Sequence, residues 1–137
     1  MIMDKLTFTL GRCLLGLYFL YPGITKIPRY DFMAGYMTLH NIPLVNVVLP
    51  ITILLQVGCG LMLIVGYKVK QTALIFAGLT LLINFGMHDF WNDYPNTDAG
   101  HELQNFVKNL GIFAGLLIVS ASSHLPQWQI SDKAKSG

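Results

Sequence analysis

Apolar residues run almost unbroken through four stretches, from Leu6 to Ile27, Ile42 to Tyr67, Gln71 to His88 and Asn109 to Ile130. The first holds Arg12 in its body, and the other three hold no Asp, Glu, Lys or Arg. Each offers the roughly 20 residues that about 30 Å of hydrocarbon requires. The pattern predicts an all-α integral membrane protein, a single domain with spanning helices at about 6–27, 44–66, 71–88 and 106–124. Four helices of a soluble bundle are the alternative, but these would carry a polar outer stripe, whereas here the charges stand between the apolar runs.

Smaller breaks shape each element. Pro22 and Gly23 loosen the outer end of the first span, because proline cannot donate to the carbonyl four residues back; Pro50 predicts a second kink. Arg12, Gly16, Phe19, Gly23 and Lys26 recur at helical spacing and share one face. That face should look into the bundle, with snorkelling of Arg12 to the inner headgroups as the alternative. Between Pro28 and Pro43, the apolar stripe Phe32, Met33, Tyr36, Met37 and Leu39 predicts a short amphipathic helix on the membrane surface. Gln56 is the strongly polar residue of the second span and is followed by Gly58-Cys59-Gly60, which should admit another backbone. Tyr67 to Lys70 is short enough only for a tight turn between antiparallel spans. Asn84 and His88 lie one turn apart on one face of the third span. The last helix begins outside the hydrocarbon, with Thr97 or Asp98 as N-cap and Glu102 in its first turn. Farther on, Gly111 and Gly115 offer a close-packing surface.

Composition agrees with a bilayer as solvent, since 53% of residues are hydrophobic and 12% are charged, half the usual charge of a soluble chain. A net charge of +2 without a basic patch gives no ground for nucleic-acid binding. Lys5, Lys68, Lys70, Lys133 and Lys135 fall on one side of a four-span arrangement, while Lys26, Arg29, Lys108 and the loop with Asp89, Asp93, Asp98 and Glu102 fall on the other. The positive-inside rule then puts both termini in the cytoplasm. Cys13 and Cys59 read as packing residues.

The order of these pieces resembles the DoxX family of small four-helix membrane proteins. The resemblance is carried by Arg12 with Leu-Gly-Leu-Tyr-Phe-Leu and Pro-Gly-Ile-Thr-Lys26, by Tyr36-Met and Ile42-Pro43, by Gln56-Val-Gly-Cys-Gly through Gly66, and by His88-x-Phe-Trp with Phe106-Val-Lys-Asn-Leu. Many members look as if they carry glutamate where this chain has Gln56, so a proton-relay role at that position is in doubt here. The resemblance implies a multi-pass inner-membrane protein linked to quinone or to a partner oxidoreductase.

On that reading, an outer pocket between the first, third and fourth spans would be lined by Lys26, Asn84, His88, Lys108 and Asn109, with walls from Phe19, Phe85, Phe90 and Phe106. Its donors suit the two carbonyl oxygens of a quinone. Arg12 and Gln56 would face each other as a polar bundle core. Two other readings stay open: a non-catalytic accessory or assembly protein, and a small-solute carrier using Arg12, Gln56, Asn84 and His88 as a polar column. His88, Asp89, Asp93, His101 and Glu102 are of types that bind zinc but lack ligand spacing, so no metal is expected. A bilayer is the expected surrounding, no cofactor is expected to be covalently bound, and a homo-oligomer is compatible with all three readings.

Overall fold

The computed structural model describes residues 1–95 and 97–130. Lys133 and Lys135, counted above on the cytoplasmic side, lie outside them. The described residues form α1 (Ile2–Lys26), α2 (Tyr30–Leu39), α3 (Val45–Val65), α4 (Val69–Met87) and α5 (Ala99–Ala121), with no strand among them. Three helices, α3, α4 and α5, are long and apolar enough to cross a membrane. The 25-residue α1 has the length, but Arg12, Tyr18, Tyr21 and Pro22 dilute its apolar stretch.

Two antiparallel pairs make the bundle: α1 packs on α3, and α4 packs on α5. Glycines set the first pair. A Cβ on Gly16 would meet the Gly60 carbonyl at 2.9 Å, and one on Gly60 would meet the Gly16 carbonyl at 3.2 Å. The backbones therefore cross where neither residue has a side chain, the usual device for helices that gain nothing by hiding from lipid. Gly58 contributes nothing to this approach, and neither Gly111 nor Gly115 has an atom within 4 Å of its would-be Cβ. The expected close-packing surface on α5 thus faces away from the chain's own helices. Between the pairs, Phe19 of α1 stacks on Phe76 of α4 with ring centroids 4.0 Å apart, over a core that includes Leu63, Ala73 and Leu116.

Arg12 is 1% exposed and neither snorkels nor meets Gln56. Its Nε donates to the Leu63 carbonyl at 2.8 Å and one terminal nitrogen donates to the carbonyls of Ile64 at 3.1 Å and Trp128 at 2.7 Å. Its other terminal nitrogen donates to Gln127 Oε1. The last turn of a helix leaves carbonyls without intrahelical partners and carries the negative end of the dipole, so the C-terminus of α3 is a ready acceptor for a guanidinium. The expected Arg12–Gln56 pair fails because Gln56 stands two turns farther into α3 than the carbonyls that take Arg12.

The C-terminal segment beyond α5 is fastened to the same end. Trp128 N donates to Thr9 Oγ1 at 3.0 Å and Ile130 N to the Val65 carbonyl at 2.9 Å. Gly66 turns the chain there with φ of 83°, and a Cβ on it would come within 2.9 Å of the Arg12 guanidinium, so glycine is required for both conformation and room.

Candidate functional site

Toward the other end of the bundle the α1–α3 seam stays tight, since a Cβ on Gly23 would meet the Gln56 Cβ at 2.8 Å. Beside it opens a cavity of about 430 Å³, lined by residues of α1, α3, α4 and α5 and by His88. Phe19 and Ile83 are apolar walls; Lys26, Gln56, Thr80, His88, Asn109 and Tyr18 bring polar groups to its lining. On α1, Phe19 lies about midway between Arg12 and Lys26, and its stack on Phe76 separates the Arg12 cluster from this cavity.

The polar groups are already oriented by one another. Lys26 Nζ donates to Gln56 Oε1 at 3.0 Å, and no carboxylate of the described residues lies within ion-pair distance of that ammonium. His88 Nδ1 lies 3.1 Å from Glu102 Oε2, with Glu102 8% and His88 22% exposed at the side chain. One ring nitrogen is thereby committed to a carboxylate, and Nε2 is left for a ligand. Tyr18 donates its hydroxyl to Asn109 Oδ1 at 3.1 Å, which leaves both hydrogens of the Asn109 amide available.

Of the expected pocket residues, Lys26, His88 and Asn109 line the cavity. Asn84 and Lys108 do not. Asn84 is wholly buried and uses its amide to donate to the Phe106 carbonyl at 3.1 Å, tying α4 to α5. Lys108 is exposed, because consecutive helical residues point about 100° apart and Asn109 takes the inward direction. Gln56, assigned from sequence to a partner at the other end, belongs here. Glu102, which sequence reading placed as a helix-start charge and among the zinc-type residues but not in the pocket, is the partner that orients His88. Its spacing of two turns from Asn109 on one face of α5 was the available signal. Of the expected aromatic walls Phe19 lines the cavity, while Phe90 and Phe106 join Phe85 and Trp91 in an edge-on aromatic cluster.

A second polar group braces the loop between α4 and α5. His40, at the end of α2, places Nδ1 2.8 Å from Asp89 Oδ1, and its ring lies between Tyr36 and Tyr94 at centroid distances of 4.6 and 4.2 Å. Asp89 Oδ2 accepts from Tyr94 Oη and from Asn92 Nδ2. Burial by itself would raise the Asp89 carboxyl, but the bonds from Tyr94, Asn92 and His40 outweigh it and hold the group below the usual aspartate range. The Tyr94 phenol is raised, first by that hydrogen bond to Asp89. The acid and histidine residues named for zinc are therefore split: His88 serves Glu102, and Asp89 serves His40.

Comparison with known proteins places the chain. The DoxX family model matches residues 7–89. The Escherichia coli K12 protein named inner membrane protein YqjF is 34% identical over 118 residues, covering 86% of this chain and 85% of that protein. Inner membrane protein YphA of the same organism is 23% identical over 111 residues, covering 81% and 79%. No solved structure matches the chain. With a family model over more than half its length and a relative aligned along most of both chains, this protein belongs to the DoxX family.

Proposed function

We propose that this chain is an inner-membrane protein with α1 as its fourth span and both termini cytoplasmic, whose cavity receives the head of a lipid-soluble quinone in a redox-linked membrane system. The observation that carries this reading is the ammonium of Lys26 on the wall of the cavity with a neutral amide as its only hydrogen-bond partner among the described residues. A cation so placed attracts an electron-rich oxygen, since its remaining hydrogens need acceptors and no nearby carboxylate competes. Asn109 supplies a second donor on another helix, so an oxygen at each end of a small ring could be met. His88, backed by Glu102, accepts a hydrogen bond from a hydroxyl when its Nε2 is bare and donates to a carbonyl when protonated. A bound quinone would supply two-electron, two-proton chemistry; the residues here hold the head and exchange a proton at His88, and electrons would come from a partner oxidoreductase.

The carrier reading loses its main support, because the polar column is interrupted by the Phe19–Phe76 stack and Arg12 is engaged at the α3 terminus. The accessory reading is favoured by Asn84 and Arg12, whose polar groups serve helix-to-helix ties. Gentle purification followed by solvent extraction separates the two that remain. Quinone recovered near one molecule per chain supports the proposal; a stoichiometric soluble partner with no quinone supports the accessory reading.

A further inference from the structure

Behind the wall formed by Lys26, Ile83 and His88 lies a second cavity of about 640 Å³, and those three residues line both spaces. Its character is different. Met33 and Met37 of α2 roof it, Val48 and Leu49 of α3 form one side, and Leu82 and Gly86 of α4 form the other. Apart from the shared Lys26 and His88, its polar side chains are Tyr36 and Thr52, and the Thr52 hydroxyl is spent on the Val48 carbonyl at 2.8 Å. Polar groups are thus concentrated in one chamber, and the adjoining chamber is hydrocarbon-like.

Resting on the head-group reading above, we propose that the ligand is a chain-bearing amphiphile, whose head lies in the chamber with Gln56 and Asn109 while its hydrocarbon tail lies in the α2–α3–α4 groove. An apolar space of this size leaves its lining without partner atoms unless a chain fills it. The ligand's own tail is the fitting occupant because the groove adjoins the head chamber, with Lys26, Ile83 and His88 lining both. Since lipid is as apolar as the groove, leaving the bilayer gives the tail no hydrophobic gain. The advantage comes from joining two sites in one molecule, which makes the second contact intramolecular. Flexible methionines in the roof accommodate chains of varied shape. It follows that α2, which sequence alone marks as an interfacial helix, is the cover of the tail chamber.

The test compares two benzoquinones with one head, bearing a decyl or a methyl substituent, bound to the full chain in nanodiscs of fixed lipid composition. Affinities are corrected for partition into the same lipid. The wild type should bind the decyl compound about tenfold more tightly, the gain expected of a modest second site. Met33→Trp and Thr52→Phe, which fill the groove from different helices, should erase that advantage and keep methyl-compound affinity within about twofold. Two variants guard against one that fails to fold, and unfolding temperature identifies it. Retention of the advantage in folded variants overturns the tail assignment and points to a phospholipid chain in the groove. Equal affinity in the wild type overturns the tail assignment alone, and loss of both compounds in both folded variants overturns the division into head and tail chambers. Binding of neither compound to the wild type overturns the head-group reading and this proposal with it.

Discussion

Lys26 Nζ donates to Gln56 Oε1 across the α1–α3 seam at 3.0 Å, so the cation on the cavity wall is held by a neutral group. A glutamate at the same place would form an ion pair with Lys26 and cancel its pull on a ligand oxygen. Gln56→Glu should therefore leave the unfolding temperature unchanged or raised, and weaken binding of a benzoquinone by about tenfold, or about 1.4 kcal/mol. Calorimetric titration and thermal unfolding of the same preparation check both halves.

Arg12 should behave as a structural residue. Arg12→Met leaves the carbonyls of Leu63, Ile64 and Trp128 without its donors. Buried acceptors stripped of partners cost about 1 to 3 kcal/mol each, and partial relaxation of the segment brings the total to about 2 to 4 kcal/mol. Arg12→Lys, with one compact ammonium in place of a planar fork, should recover only part. Unfolding in graded denaturant measures the loss, and faster proteolysis after Ala121 should accompany it.

The glycines make a paired prediction. Gly16→Val places a Cβ 2.6 Å from Ile64 Cγ1 and 2.9 Å from the Gly60 carbonyl, so α1 and α3 must separate; a destabilisation of about 1 to 3 kcal/mol is expected. Gly115→Ala meets nothing within 4 Å and should leave the unfolding of the isolated chain unchanged or slightly strengthened by helix propensity.

Acid sensitivity should centre on the loop between α4 and α5. Because the folded Asp89 carboxyl is held below its ordinary range, its stabilising contribution is complete above the unfolded value of about 3.9 and is lost as pH falls through the lower folded value. Tyr94→Phe removes the largest lowering bond, so the folded value rises toward the unfolded one and the loss should become smaller and end at higher pH, with its onset unchanged. Asp89→Asn should remove this part of the acid dependence altogether, as read from stability measured between about pH 2 and 6.

What the sequence made legible follows from periodicity. The inward face Arg12, Gly16, Phe19, Gly23 is buried along α1 as its spacing predicts, and the short helix expected between Pro28 and Pro43 appears as α2 over Tyr30–Leu39. Partners across helices were less legible, because a period fixes which way a side chain points and not the level at which a neighbour stands. Arg12 went to the end of α3 and a segment 115 residues away at Gln127, and Gln56 went to Lys26. Lys108 was misassigned beside Asn109 because helix starts are rich in polar residues, and only the 100° step per residue separates an inward from an outward one. The pairing of Glu102 with His88 depends on how the 88–98 loop folds back, for which a single sequence offers no periodic signal.

The topology is open to a direct check. Reporter fusions at Met1 and after Gly137 should lie on the same side, opposite to an insertion within residues 94–100. A Met1 reporter on the same side as the 94–100 insertion, with Gly137 opposite, would remove α1 as a span.

The central claim is that the Lys26 chamber binds a quinone head, and the most direct measurement is the affinity of one short-chain benzoquinone for wild type, Lys26→Met and Lys108→Ala proteins of matched unfolding temperature. Lys26 lines the cavity and Lys108 is exposed. Lys26→Met should weaken binding by at least about tenfold, while Lys108→Ala should leave it unchanged. Equal affinity in all three, or a loss confined to Lys108→Ala, would contradict that claim.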